Sequence, residues 1–182
     1  LQNSTAFWPQ PELPAQVQPQ ALQTSLSAKA ERTPEQLRQL AYVERFAEVA
    51  QTEMRKFGIP ASITLAQGVL ETQAGESPLA SKFNNDFGIK CFSRKCRKGH
   101  CSNFTDDSHK DFFRKYKSAW ESYRSHSYLL QADRYKPLKK LSKTDYKAWA
   151  KGLKKAGYAT DKHYADKLIQ LIQDLDLQKY DQ

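Results

Sequence analysis

The chain has 182 residues, with 29 lysines and arginines against 20 aspartates and glutamates, and a formal net charge of +9. Its mean hydropathy is −0.78, and it has no run of about 18 apolar residues, which excludes a transmembrane helix read from hydropathy. The positive balance admits nucleic acid or an anionic cell wall as a partner and does not decide between them.

Residues 1–32 are rich in Gln, Pro, Ser and Ala and carry no periodic apolar pattern, so they read as a linker or tail. Residues 33–182 are long enough to enclose a core. The chain starts at Leu1 without a methionine or an export signal. It reads as a processed piece of an exported protein of the periplasm, cell surface or exterior. Charge is balanced over residues 1–40, where Lys29, Arg32 and Arg38 face Glu12, Glu31 and Glu35, so the excess lies further on.

Thr33-Pro34-Glu35-Gln36 is a capping box with proline at the first helical position. Leu37, Leu40, Val43, Ala47, Ala50, Met54 and Phe57 follow at helical spacing, up to Gly58. In ITLAQGVLETQAGES, Ile63, Leu65, Ala66, Val69 and Leu70 form the stripe of a second helix, which Gly75 and Pro78 close. Glu71 stands near the end of that helix, beside its apolar face. A carboxyl that loses water there has a raised pKa and stays protonated near neutrality. A donor of a proton to a glycosidic oxygen needs that condition. The plainer reading is a solvated acid at a helix end.

Ser77-Pro78 opens a short helical turn, and Asn84 and Asn85 suit a tight turn. Phe87 to Lys90 and Phe112 to Tyr116 read as strands flanking a polar hairpin, a small β-lobe over about 86–117. Within it, Asp106 and Asp107 are candidates for a second carboxylate, or else a soluble hairpin tip. The run from Lys90 to Lys98 is the densest positive stretch, with Arg94, Lys95 and Arg97 inside it. Cys91, Cys96 and Cys101 recur at five-residue steps. With His100 or His109 they invite zinc, but the spacing is marginal and nearby cations oppose a divalent metal. A disulfide suits an oxidising compartment better. Cys96–Cys101 and Cys91–Cys101 are both feasible, and one thiol is left over. Neither a metal nor a cofactor is expected.

Ser118 and Glu121 form a second capping box, with Trp120, Tyr123, Leu129 and Leu130 as the apolar face behind it. Glu121 therefore reads as structural. Further helices span about 145–156, closed by Gly157, and 162–174, opened by Thr160 or Asp161. Tyr158 follows the helix-ending glycine, where a phenol can project into a groove. Tyr164 is a weaker candidate for the groove, since it opens a helix whose Leu168, Leu171, Ile172 and Leu175 read as core. Phe87 and Trp149 offer flat faces for sugar rings, or are core. No G-x-S-x-G and no phosphate-binding glycine loop occurs, and His126 and His163 lack a nucleophile at motif spacing. The fold class is α+β, mostly α, with one small antiparallel sheet.

Four blocks in order, LAQGVLET, NNDFGIK, FRKYKSAWESYRSH and WAKGLKKAGYATDKHYADKLI, make the chain resemble glycoside hydrolase family 73 from about Ala41 to Tyr180. That family comprises bacterial endo-β-N-acetylglucosaminidases that cut peptidoglycan. The resemblance implies a lysozyme-like helical body with a β-lobe across a groove. It implies Glu71 as general acid, Tyr158 at the active site, and Asn85 in the groove wall. It also implies a second acid in the β-lobe, for which Asp106 and Asp107 are the nearest matches. The family often has Ser-Gly-Trp-Gly after the glutamate, whereas this chain has Thr72, Gln73, Ala74 and Gly75, so a sugar-stacking tryptophan is lost.

The resulting expectation is an exported, monomeric peptidoglycan hydrolase acting on glycan strands. It would cleave the β-1,4 bond between N-acetylglucosamine and N-acetylmuramic acid, with no nucleic-acid partner. Attack could come from a second carboxylate acting as nucleophile, from water that such a carboxylate activates, or from the substrate's own acetamido oxygen. A muramidase or lytic transglycosylase of the same fold is the alternative enzyme, and a non-catalytic wall-binding module the alternative class.

Overall fold

The computed structural model describes residues 32–91, 99–103 and 112–182. Residues 33–182 make one compact unit. It is mostly helical with one small antiparallel sheet, as the composition of elements implied. The tail at 1–31, the basic run at 92–98 and the hairpin segment at 104–111 lie outside the described residues. With them lie Asp106, Asp107, Cys96 and His109.

Helix α1 spans Pro34–Phe57 and begins as its sequence dictates. Thr33 Oγ1 accepts from the Gln36 amide at 3.2 Å, and Gln36 Oε1 accepts from the Thr33 amide at 3.0 Å. Gly58, at φ 77°, ends it in the left-handed conformation. Its buried face runs through Tyr42, Val43, Phe46, Val49, Ala50 and Met54, while the expected Leu37 is 56% exposed. Buried Glu53 on the same face pairs with Arg124 at 2.7 Å, tying α1 to a later helix.

Helix α2, Ala61–Thr72, is the centre of the molecule. Every residue from Ala61 to Val69 is buried, so its apolar surface wraps the whole helix and is wider than the expected stripe. It packs on α1, on the two C-terminal helices and on the last 3-10 turn. Its N-cap, Pro60, has no side-chain hydrogen bond to offer. The free amides are met from elsewhere: Ala61 N–H donates to Met54 Sδ at 3.4 Å and Ser62 N–H to Asp181 Oδ1 at 2.8 Å.

Helix α3, Pro78–Phe83, starts on the expected Ser77 cap and ends at Asn84, whose φ of 50° is left-handed. The sheet is smaller than the pattern suggested. Strand β1, Cys101–Asn103, pairs antiparallel with β2, Phe112–Arg114, in the register Ser102 opposite Phe113. The expected strand at Phe87 to Lys90 reduces to a single bridge between Lys90 and Phe113. The reason is local. Asn85 Oδ1 accepts from Ile89 N–H at 2.9 Å and its Nδ2 donates to the Ile89 carbonyl at 3.0 Å, competing with a ladder. The Cys91–Cys101 disulfide, one of the two feasible pairs, staples this segment to β1.

Helix α4, Ala119–Leu129, follows Ser118, but neither bond of the expected capping box is made. Glu121 Oε2 accepts from the Lys117 amide at 3.0 Å, one residue earlier than a box requires. Tyr123 and Leu130 are buried, whereas Trp120 is 46% exposed, so the expected face turns away from Trp120. A 3-10 helix at Asp133–Lys140, unmarked by any periodic signal, leads to α5, Tyr146–Lys155, and α6, Tyr164–Asp174. A last 3-10 turn, Leu177–Tyr180, returns to α2. Among the described residues no helix is long and apolar enough to cross a membrane.

Candidate active site

Glu71 occupies the last turn of the central helix, and the backbone beyond it is unusual. Gln73, Ala74 and Gly75 are all left-handed, at φ 53°, 59° and 88°. Two of these are not glycine, a conformation that costs roughly 1 kcal/mol or more each. The helix therefore stops at Gln73, two residues before the expected Gly75. Buried Thr72 holds the turn: its hydroxyl donates to the Gly68 carbonyl and accepts from the Gly75 amide, both at 2.6 Å. The run of tight turns aims residue 71 out of the core.

Glu71 is open to solvent on one side, so the enclosed environment expected for it is not what the structure has. Protein on the other side still strips enough water from its carboxyl to raise its pKa, and the nearby Tyr164 hydroxyl works against that rise. The negative end of α2 adds to the upward push. Buried Tyr164 owes its position to Gln67, one helical turn before Glu71, whose Nε2 donates to the Tyr164 hydroxyl at 2.9 Å. With a lone pair so occupied, the phenol proton is free for the carboxyl.

Tyr158 stacks on Tyr164, with ring centroids 5.6 Å apart at 25°. Gly157, at φ 75°, swings it off the end of α5. Its loop is pinned by Lys154 Nζ, which donates to the carbonyls of Ala159 at 3.2 Å and Thr160 at 3.1 Å. The charge of Glu71 is felt at both phenols and helps hold them protonated, burial being the larger cause. Tyr135, from the unanticipated 3-10 helix, brings a third ring 6.3 Å from Tyr158. Nothing in the sequence around Tyr135 marked it; only the return of the chain past α5 places it there.

The other candidates sort differently. Phe87 and Trp149 are 6% and 2% exposed, so neither presents a face to a sugar. Phe87 stacks on His126 at 4.1 Å, and Trp149 donates its indole N–H to the Ser142 carbonyl at 3.1 Å. Both are core residues, because each sits on the inward side of its segment. Asn85, 1% exposed, also donates to the Arg114 carbonyl at 3.0 Å, locking the NNDFGIK turn onto β2. Asp106 and Asp107 lie outside the described residues. Among the described residues, no second carboxyl perturbs Glu71.

Two further clusters stand apart from Glu71. Asp86, 3% exposed, accepts from Tyr42 at 3.1 Å and Ser122 at 3.0 Å on the floor of a cavity of about 530 Å³ that Arg45 and Gly75 also line. Burial is the main reason its carboxyl titrates above the usual range. Sequence inspection missed this network, since an acid inside NNDFGIK carries no periodic signal. The ligand atoms of Cys91, His100 and Cys101 lie within 4.8 Å of one another, yet both sulfurs are committed to the disulfide.

A family model described as mannosyl-glycoprotein endo-beta-N-acetylglucosaminidase matches residues 47–177. Exo-glucosaminidase LytG of Bacillus subtilis is 34% identical over 88% of this chain and 61% of its own length. The chain spans 47% of the peptidoglycan hydrolase FlgJ of Vibrio parahaemolyticus, at 27% identity over 75% of this chain. A peptidoglycan hydrolase from Sphingomonas sp. A1 superposes with a TM-score of 0.63 at 30% identity, covering 77% of this chain and 91% of that one. The fold, the order of the elements around Glu71 and the extent of the family match agree: the chain belongs to the glucosaminidase family of glycoside hydrolases, family 73.

Proposed function

We propose that the protein is an exported peptidoglycan hydrolase that cleaves the β-1,4 bond from N-acetylglucosamine to N-acetylmuramic acid. The observation that carries this reading is Glu71. It stands at an open helix end, with its carboxyl held toward the protonated form and two phenols against it. Such an acid can give its proton to the departing muramic-acid oxygen while remaining accessible to a polymer. Tyr164, whose hydroxyl moderates the rise in the Glu71 pKa, is the group proposed to orient the carboxyl. In this reading the Tyr158 hydroxyl steadies the substrate's acetamido group.

The attacking group is either water, with Asp106 or Asp107 as base, or the acetamido oxygen itself. The anomer of the first product separates them, since direct attack by water inverts and acetamido attack retains. Membership of a family that includes named peptidoglycan hydrolases supports the wall as target, and the +9 charge suits an anionic polymer.

The test is mass spectrometry of digested, borohydride-reduced peptidoglycan. Fragments ending in reduced N-acetylglucosamine are expected. Fragments ending in reduced or anhydro-muramic acid would overturn the choice of bond in favour of a muramidase or lytic transglycosylase.

A further inference from the structure

Arg134 is an exposed cation beside the phenol cluster. Its guanidinium lies over the Tyr135 ring, 4.6 Å from the centroid. Tyr135 in turn flanks Tyr158 at 6.3 Å, and Tyr158 stacks on the Tyr164 that reaches Glu71. The positive charge is felt at the Tyr158 hydroxyl, as is the negative charge of Glu71.

No carboxylate among the described residues pairs with Arg134. The adjacent acid, Asp133, is taken by Lys136 at 2.8 Å. The arginine's guanidinium is braced against an aromatic face, which limits the freedom lost on binding. Its fork of N–H groups is exposed and has donors to spare.

The substrate supplies a matching group. If the leaving oxygen is O4 of N-acetylmuramic acid, the neighbouring carbon C3 carries an ether-linked carboxyl. That carboxyl is free in a bare glycan and amide-linked in a strand bearing peptide. Either form presents oxygens within one substituent of the bond being broken, and a guanidinium can donate to both.

We propose that Arg134 is a specificity residue that receives the carboxyl or acyl oxygens of this O3 substituent, and so selects muramic-acid-containing strands over plain β-1,4 N-acetylglucosamine polymers. This rests on the proposed hydrolase reading. The binding pair is a guanidinium and a carboxylate in the bare glycan, and a guanidinium and an amide carbonyl in the peptide-bearing strand.

The test compares wild type, Arg134→Ala and Arg134→Lys on three ligands: peptide-bearing strands, amidase-stripped strands, and an N-acetylglucosamine hexamer used as a competitor. For Arg134→Ala, KM should rise about tenfold to a hundredfold on both kinds of strand. Its kcat should change little and the competitor's inhibition constant should stay within about twofold. Added salt should weaken binding of the stripped strands most, because only they offer a full charge. Arg134→Lys should recover part of the loss on stripped strands and little on peptide-bearing ones.

Equal weakening of strands and competitor would overturn the assignment, as would an unchanged KM on both strands. Thermal melting of each variant checks that the exposed substitution leaves the fold intact. Product analysis of the wild type tests the bond separately, so failure of that reading is distinguishable from failure of this one.

Discussion

His126 illustrates how a single residue can be both core and liability. It is fully buried, stacked on Phe87 and edge-on to Tyr158 at 6.0 Å, and neither ring nitrogen has a protein hydrogen-bond partner. Burial lowers its pKa to about 3 from the usual 6.5. An unfolded chain takes up a proton near 6.5 and the folded one refuses it until about 3. Its contribution to stability is therefore complete above 6.5 and drains away as pH falls through that window. The loss is about 1.4 kcal/mol per pH unit and on the order of 5 kcal/mol in all. His126→Phe keeps the stacked ring and removes the proton site. Denaturant titrations from pH 7 to 3.5 should show a markedly flatter acid limb for the variant. Parallel limbs would contradict the assignment.

At the same scale, spacing alone reads Glu71 as a solvated acid at a helix end, and it was singled out only by the family resemblance. Tyr135 and Arg134 were not singled out at all. Their relation to Glu71 arises from a 3-10 segment whose eight residues have no period to recognise. Phe87 and Trp149 mislead for a related reason: an aromatic suits a core and a sugar platform equally, and only burial decides.

At the level of elements, the turn after α2 is what presents the acid. Three left-handed residues in succession need a strong anchor, and Thr72 supplies it through one hydroxyl that both donates and accepts. Thr72→Val keeps the volume and removes both bonds, leaving the Gly75 amide short of a partner. It should cost about 1–3 kcal/mol in chemical denaturation, with Thr72→Ser close to wild type. A valine variant as stable as wild type, or a serine variant as damaged as valine, would contradict this role.

Elements were legible where local rules act alone. The Thr33 capping box, the Gly58 stop and the Ser77 cap each need only three or four neighbouring residues. They were misread where a side chain had a rival partner. Glu121 prefers the Lys117 amide to that of Ser118, and Asn85 takes the Ile89 N–H that a strand would have used, while the Ile89 carbonyl still accepts from Arg114 N–H.

For the whole molecule, closure depends on the C-terminus. The central helix lacks a capping side chain of its own, and Asp181 supplies one across 119 positions, accepting from Ser62 N–H at 2.8 Å and Ser62 Oγ–H at 2.6 Å. Leu177, fully buried in the preceding turn, brings Asp181 into place. Asp181→Ala should lower the melting temperature by about 2–8 °C, from a cap worth about 1–2 kcal/mol. Asp181→Asn should fall less, since its carbonyl still accepts. An unchanged melting point for the alanine variant would show that the C-terminal turn is not part of the fold's closure. Long-range partners such as Asp181 and Ser62 carry no local signature, which is why the tertiary fold was legible only through the family resemblance.

The central claim is that Glu71 hands its proton to a departing sugar. Its most direct test is Glu71→Gln, assayed for hydrolysis and for binding on the same purified glycan strands. The amide keeps size and polarity and has no proton to give. The account expects turnover to fall by about 10²–10⁴-fold with affinity within about twofold of wild type. A variant that hydrolyses at near wild-type rate, or one that loses binding in step with activity, would contradict it.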